Sequence, residues 1–266
     1  MRKKKTIRRT ISRWVMWVAA VLFALFALQV TVLAFPQLII PHSVQAGTVV
    51  IYYDGTPGTD VYKLANEVGK RLQGSGFYDS SRTDRVFLCQ SQRLYTLFTL
   101  LAMVPKQAQG FGLSIFDNTF VSELRVTGLT ERSGGFPKYG IWEGSLAHTI
   151  THEIGHLYMT DRTGRSRWKS LPHWKQEGFP EYVANIAPIH EDSLATLPHR
   201  FGILNTERVW GYTQRWDRIH YEAGLLVEFL FDIQGHTLDD FVADSVTREE
   251  THDAMMAWID AQQNKP

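Results

Sequence analysis

The sequence has almost no cysteine. Cys89 stands alone among 266 residues, so no intramolecular disulfide can form, and stability has to come from the core or from a bound metal. Internal repeats are missing, which argues against a repeat architecture, and low complexity is confined to a basic N-terminus. Acids are absent from the first 13 residues, MRKKKTIRRTISR, which carry seven bases. The remaining 21 Lys and Arg face 27 Asp and Glu. That mildly acidic balance offers no electrostatic footprint for nucleic acid. With 44% hydrophobic residues, the chain can bury one sizeable core.

Directly after the basic tail (1–13) comes WVMWVAAVLFALFALQVTVLAF, residues 14–35, an apolar run interrupted by little more than Gln29. About 20 such residues cross a hydrocarbon core as a helix. The bases before it predict a cytoplasmic N-terminus and a domain on the far side of the cell (inner) membrane, the arrangement of a single-pass signal anchor. The alternative is secretion after signal-peptide cleavage, because Val32–Ala34 and Val44–Ala46 both have small-residue spacing that a signal peptidase accepts. An apolar run of this length exceeds a usual signal core and favours the anchor.

Residues 36–46 read as a linker, and 47–266 as one domain of the α+β class. TVVIYYD, RVFLCQS, FGLSIF and NTFVSELRV have the β-branched and aromatic content of short strands. Residues 60–73, and QRLYTLFTLLAMV after them, have helical periodicity. From Gly144 onward the pattern is almost wholly helical. Leu146, Ile150, Ile154 and Leu157 form one stripe, Leu225–Ile233 an apolar helix, and Glu249–Gln262 the last helix.

The chemistry concentrates in SLAHTITHEIGHLY, Ser145–Tyr158. His152 and His156, at i and i+4, project from one side of a helix, so both imidazoles can reach one ion. The apolar stripe lies on the other side, and the helix can bury it while presenting the imidazoles to a cleft. Glu153 stands beside the first histidine, where a carboxylate can take a proton from a metal-activated water and return it to a leaving amine. Gly155 leaves room for close packing behind the site. Alone, the string also fits an ordinary polar helix surface. A catalytic zinc takes three protein ligands, and Met159 and Arg162 occupy the places where a metzincin would have Gly and His.

HEIGH followed by WKQEGFPEYVA, Trp174–Ala184, resembles the gluzincin zinc metallopeptidases, whose aminopeptidase-N-type members carry H-E-x-x-H and then W-L-N-E-G-F-A-x-Y at similar spacing. The resemblance implies a zincin-like fold, a Zn2+ cofactor and a peptide or protein substrate. It makes Glu177, 21 positions after His156, the third zinc ligand. Glu181 matches an acid that hydrogen-bonds the first zinc histidine, fixing the tautomer of His152 and raising its basicity. HYEAGLLVEFLFDIQG is similar to the Y-x-K-G-x-x-L segment, which implies that Tyr221 donates to the oxyanion of the tetrahedral intermediate. A tyrosine packed at the start of a core helix is the plainer reading of Tyr221.

The resemblance covers residues 147–235, about a third of the chain. Pro180 departs from it, replacing a small residue, and implies a helix that starts near Gly178 or kinks at the proline. SGGFPKYGIWEG, 133–144, lacks the G-x-M-E-N element that holds a free N-terminus, so exopeptidase specificity does not carry over. His148 shares the face of His152 and His156 but lies too far along the axis from His156 to ligate the same ion. His220 and His236 remain reserve proton donors. Two functions are therefore expected. One is a membrane-anchored zinc peptidase with His152, His156 and Glu177 as ligands and Glu153 and Tyr221 as catalytic groups. The other is an inactive membrane-tethered metal-binding or scaffold domain.

Overall fold

Alternation of Val, Ile and Leu with Phe and Tyr along the central strands divides the molecule into two cores. The computed structural model describes residues 2–105, 107–132, 145–191, 196–204, 215–243 and 245–264; SGGFPKYGIWEG lies outside them. Five strands, β1 His42–Ala46, β2 Val49–Tyr53, β3 Asp84–Cys89, β4 Gly110–Leu113 and β5 Asn118–Ser122, form one sheet in the order β1-β2-β3-β5-β4. The inner three are parallel, and β1 and β4 run antiparallel to their neighbours. The helices, in chain order, are α1 Arg2–Ala34, α2 Val61–Gly74, α3 Gln92–Ala102, α4 Glu123–Arg132, α5 Leu146–Thr163, α6 Arg165–Ser170, α7 His173–Glu191, α8 Leu197–Leu204, α9 Arg215–Glu228, α10 Leu238–Val242 and α11 Arg248–Gln263.

Successive strand side chains point to opposite faces. Val49, Ile51, Val86, Leu88 and Val121 join the larger core with residues of α2, α5, α7 and α9. Phe87, Cys89, Phe111 and Phe120 face the other way, onto Tyr95 and Phe98 of α3 and Leu33 at the end of α1. The class is thus α+β, as the patterning implies. Trp14–Ala34, with mean hydropathy 2.3 and none of its window buried, is long and apolar enough to cross a membrane.

Three expectations need correction. Residues 42–46, read as linker, are strand β1, turned back onto β2 by Gly47, whose φ of 59° is one that glycine adopts without strain. NTFVSELRV does not stay extended. The strand stops at Ser122, and Glu123 opens α4, its carboxylate accepting the Gly58 N–H and the Gln90 amide. FGLSIF is strand only through Leu113, and residues 114–117 turn the chain into β5 with Asp117 at φ 54°.

Candidate metal centre

Helix α5 begins where Ser145 accepts the His148 N–H at 3.1 Å, a cap worth about 1 kcal/mol. Its Leu146, Ile150, Ile154 and Leu157 are buried. That fixes the rotation of the helix and leaves His152, Glu153 and His156 half-buried along one flank. Helix α7 crosses behind this flank. A Cβ on Gly155 would stand 2.8 Å from Pro180 Cα, closer than real carbons approach, so Gly155 is what lets α5 and α7 meet. This contact accounts for Pro180. Helix α7 does not start near Gly178; it starts at His173 and runs through the proline, whose ring packs on Gly155. The Pro172 carbonyl accepts the Lys175 and Gln176 N–H groups at 2.9 and 3.2 Å, closing the first turn upstream.

The crossing brings the two conspicuous sequence stretches together. Glu177 Oε2 lies 3.4 Å from His152 Nε2 and 3.5 Å from His156 Nε2. Donors held at 2.0–2.1 Å around a tetrahedral zinc are about 3.3–3.4 Å apart. The spacing of both imidazoles from Glu177 therefore suits a zinc ion, as does the two-imidazole, one-carboxylate donor set. One turn on in α7, Glu181 is buried and holds three groups. His152 Nδ1 donates to its Oε2 at 3.1 Å, His148 Nε2 stands 3.1 Å from its Oε1, and Asn185 Nδ2 donates to Oε1 at 2.8 Å. The Glu181 contact leaves His152 Nε2 directed at Glu177.

Glu153 is held from the other side by the edge strand. Gly112 N–H donates to its carboxylate, and a Cβ on Gly110 would meet Glu153 Cγ at 2.9 Å. Helix α9 closes the cluster, approaching α7 so tightly that a Cβ on Gly178 would stand 2.6 Å from the Ala223 carbonyl oxygen. Among the described residues, His152, Glu177 and His220 form a set whose possible ligand atoms lie within 4.8 Å of one another. His220 Nε2 is 3.9 Å from Glu177 Oε2, and its ring stacks on that of His152 with centroids 6.0 Å apart. His173, on the more exposed rim, is 3.9 Å from Glu177 Oε1.

The electrostatics follow from this arrangement. Burial disfavours the charged His152 ring, but the carboxylates of Glu177 and Glu181 overcome it and raise the group to about 10. Burial pushes Glu177 up, yet hydrogen bonds and charge from His152 and His156 hold it far below the usual carboxylate range. Glu181 is likewise held low against its burial, by His148 and His152. Glu153 goes the other way: burial raises it, although the neighbouring histidines oppose the shift. A carboxyl raised in this way binds a proton more readily than a free one, which suits a general base.

Tyr221 is buried, with Arg200 nearby, whose guanidinium pairs with both Glu228 oxygens. Burial raises its phenol, with Arg200 opposing. Adjacent helical residues diverge by about 100°, and on α9 it is His220 that turns toward Glu177. Two members of the cluster are thus invisible to motif matching. His220 is one residue from the matched tyrosine. His148 shares a face with His152 and needs the buried Glu181 to acquire a partner. No protein-family model matches the chain and no curated protein matches it, so the chemistry of the site is argued from its own donor set.

Proposed function

We propose that the protein is a membrane-anchored zinc-dependent peptidase. The observation that carries this reading is the approach of Glu177 Oε2 to His152 Nε2 and His156 Nε2 at 3.4 and 3.5 Å, with Glu153 on the same helix flank. His152, His156 and Glu177 would hold the ion, with Glu181 orienting His152. When bound, zinc supplies Lewis acidity that polarises a carbonyl and acidifies a water molecule. Glu153 accepts the proton of that water and delivers it to the leaving amine, and its raised carboxyl supports both halves of the task. His220, beside Glu177, is better placed than Tyr221 to donate toward negative charge developing on the substrate oxygen.

Two features support an uncleaved anchor. Both stretches that a signal peptidase could accept are built into the domain. Leu33 is buried and its carbonyl accepts Asn118 Nδ2 at 2.8 Å, and Val44–Ala46 pair with Val49–Ile51 in the sheet. The test is metal content and peptide hydrolysis by the full-length protein. Zinc at one per chain with cleavage abolished in Glu153→Gln supports a peptidase. Zinc retained without any Glu153-dependent cleavage across diverse peptides counts against it.

A second reading, a non-catalytic metal site, is favoured by one observation. His220 lies close enough to Glu177 to act as a fourth protein ligand, and a four-ligand site has no open position for a substrate. Cobalt substitution separates the two. A spectrum in which His220→Ala leaves the coordination unchanged supports the open site, whereas a change of coordination supports the closed one.

A further inference from the structure

The one amide side chain in the apolar run of α1 points to where the bilayer lies against the domain. Gln29 Nε2 donates to the Leu101 carbonyl of α3 at 2.6 Å. Gln29 precedes the end of α1 at Ala34 by five residues, about 7.5 Å along a helix axis. The C-terminal end of α3 is therefore level with the last turns of the apolar helix rather than beyond it. A second tie, from Asn118 Nδ2 to the Leu33 carbonyl at 2.8 Å, and the burial of Leu33 among Phe87, Phe98 and Phe120 fix α1 to the sheet. The domain thus has a set height relative to α1.

At that height the surface is apolar where a soluble face would be polar. Leu97 and Leu100 of α3 and Met103, the residue that caps its end, follow one another at three-residue spacing, 42%, 55% and 86% exposed. Phe35, Leu38 and Ile39 flank the exit of α1, at 51%, 74% and 40%. Together they make an apolar collar beside the end of α1. Apolar faces of interfacial helices bury roughly 5–10 Å into the boundary between headgroups and acyl chains, which matches the depth given by Gln29. We propose that this collar inserts into the outer interface of the same bilayer that α1 spans and seats the domain on the membrane.

The seating sets the substrate class, a step that rests on the peptidase reading of Glu153. Asn118, tied to Leu33, pairs with Leu113, and Gly110 pairs with Val121 three ladder steps along, about 10 Å. Glu153 packs against Gly110. A peptide bond offered to it therefore lies at most on the order of 10–20 Å from the bilayer, three to six residues of extended chain. The substrates are then membrane-proximal segments of proteins that are themselves embedded in the bilayer.

The experiment uses the full chain in phosphatidylcholine–phosphatidylglycerol vesicles, with a fluorophore on an introduced cysteine; the native Cys89 is buried. Labels at Met103→Cys and Val21→Cys should be quenched several-fold by nitroxide lipids and shielded from iodide. A label at Asp253→Cys, exposed on α11, should show the reverse. If Met103→Cys behaves like Asp253→Cys while Val21→Cys is quenched by lipid, the collar is overturned and the anchor stands. If Val21→Cys is not quenched either, the anchor falls with the collar. In the same vesicles, a single-span peptide cleaved near its membrane exit, but not when the segment is moved about 30 residues away, supports the substrate class. Equal cleavage at both positions overturns that class. No cleavage at either overturns it together with the peptidase reading, leaving the quenching result to stand on its own.

Discussion

Raising the pH from 6.5 to 8.5 should tighten zinc binding by about tenfold per unit, because zinc and a proton compete for His152. Glu177 and Glu181 raise this imidazole to about 10, so at pH 7 the metal-free ring is doubly protonated, with Nδ1 held by Glu181 and Nε2 by Glu177. Zinc must displace the Nε2 proton. Three units between pH 7 and the folded value amount to about 4 kcal/mol of competition. His220 does not add to the slope, since burial lowers it below the ordinary histidine range. The sign for stability is opposite. His152 is raised on folding, so its ion pairs stabilise the metal-free protein fully below about 6.5. That contribution fades as pH climbs toward 10, by up to about 1.4 kcal/mol per unit. Calorimetry in buffers of different ionisation enthalpy reads the first effect, as about one proton released per zinc at pH 7, and thermal melts of the chelated protein read the second. An affinity flat across this range, with no buffer-dependent heat, would refute the geometry assigned to His152.

Three further outcomes follow from particular contacts. Glu181→Gln removes the buried carboxylate that His148, His152 and Asn185 share; a competing chelator should show zinc affinity reduced about 10–100-fold. Gly178→Ala drives a methyl against the Ala223 carbonyl at 2.6 Å; calorimetric melts should show a loss of about 1–3 kcal/mol from overpacking, together with a lower kcat as α9 withdraws His220. Tyr221→Phe should cost about 1 kcal/mol of stability through its contact with Arg200 while leaving kcat within about threefold, whereas His220→Ala should lower kcat by about 100-fold or more. The opposite ranking would restore the oxyanion role to Tyr221.

What the sequence carried was local. His152 and His156 share a flank because four residues make about one helical turn. The apolar stripe from Leu146 to Leu157 reveals which side is buried, and the valines and phenylalanines of β2, β3 and β5 mark strands by composition. Glu177 and Glu181 were legible only through the motif resemblance of WKQEGFPEY, and the structure brings them to the two edges of the His152 ring. What was not legible depends on crossings between distant elements. Pro180 reads as a helix breaker until Gly155 is found beneath it. His220 reaches Glu177 only because α9 approaches α7 at Gly178, and one residue of helical rotation separates it from the tyrosine that the motif selected. Residues 42–46 read as linker because His42–Ala46 lacks a continuous apolar run. Pairing with β2 through Gly47, rather than composition, makes the strand.

The measurement that bears most directly on the central claim is peptide cleavage by the zinc-loaded full-length protein compared with Glu153→Gln, with zinc content and melting temperature read on both. The expected result is one zinc per chain in each, equal thermal stability to within a few degrees, and cleavage at least about 1,000-fold lower in the variant. Equal cleavage by the two proteins, or a wild-type chain that holds zinc and cleaves no peptide, contradicts the account.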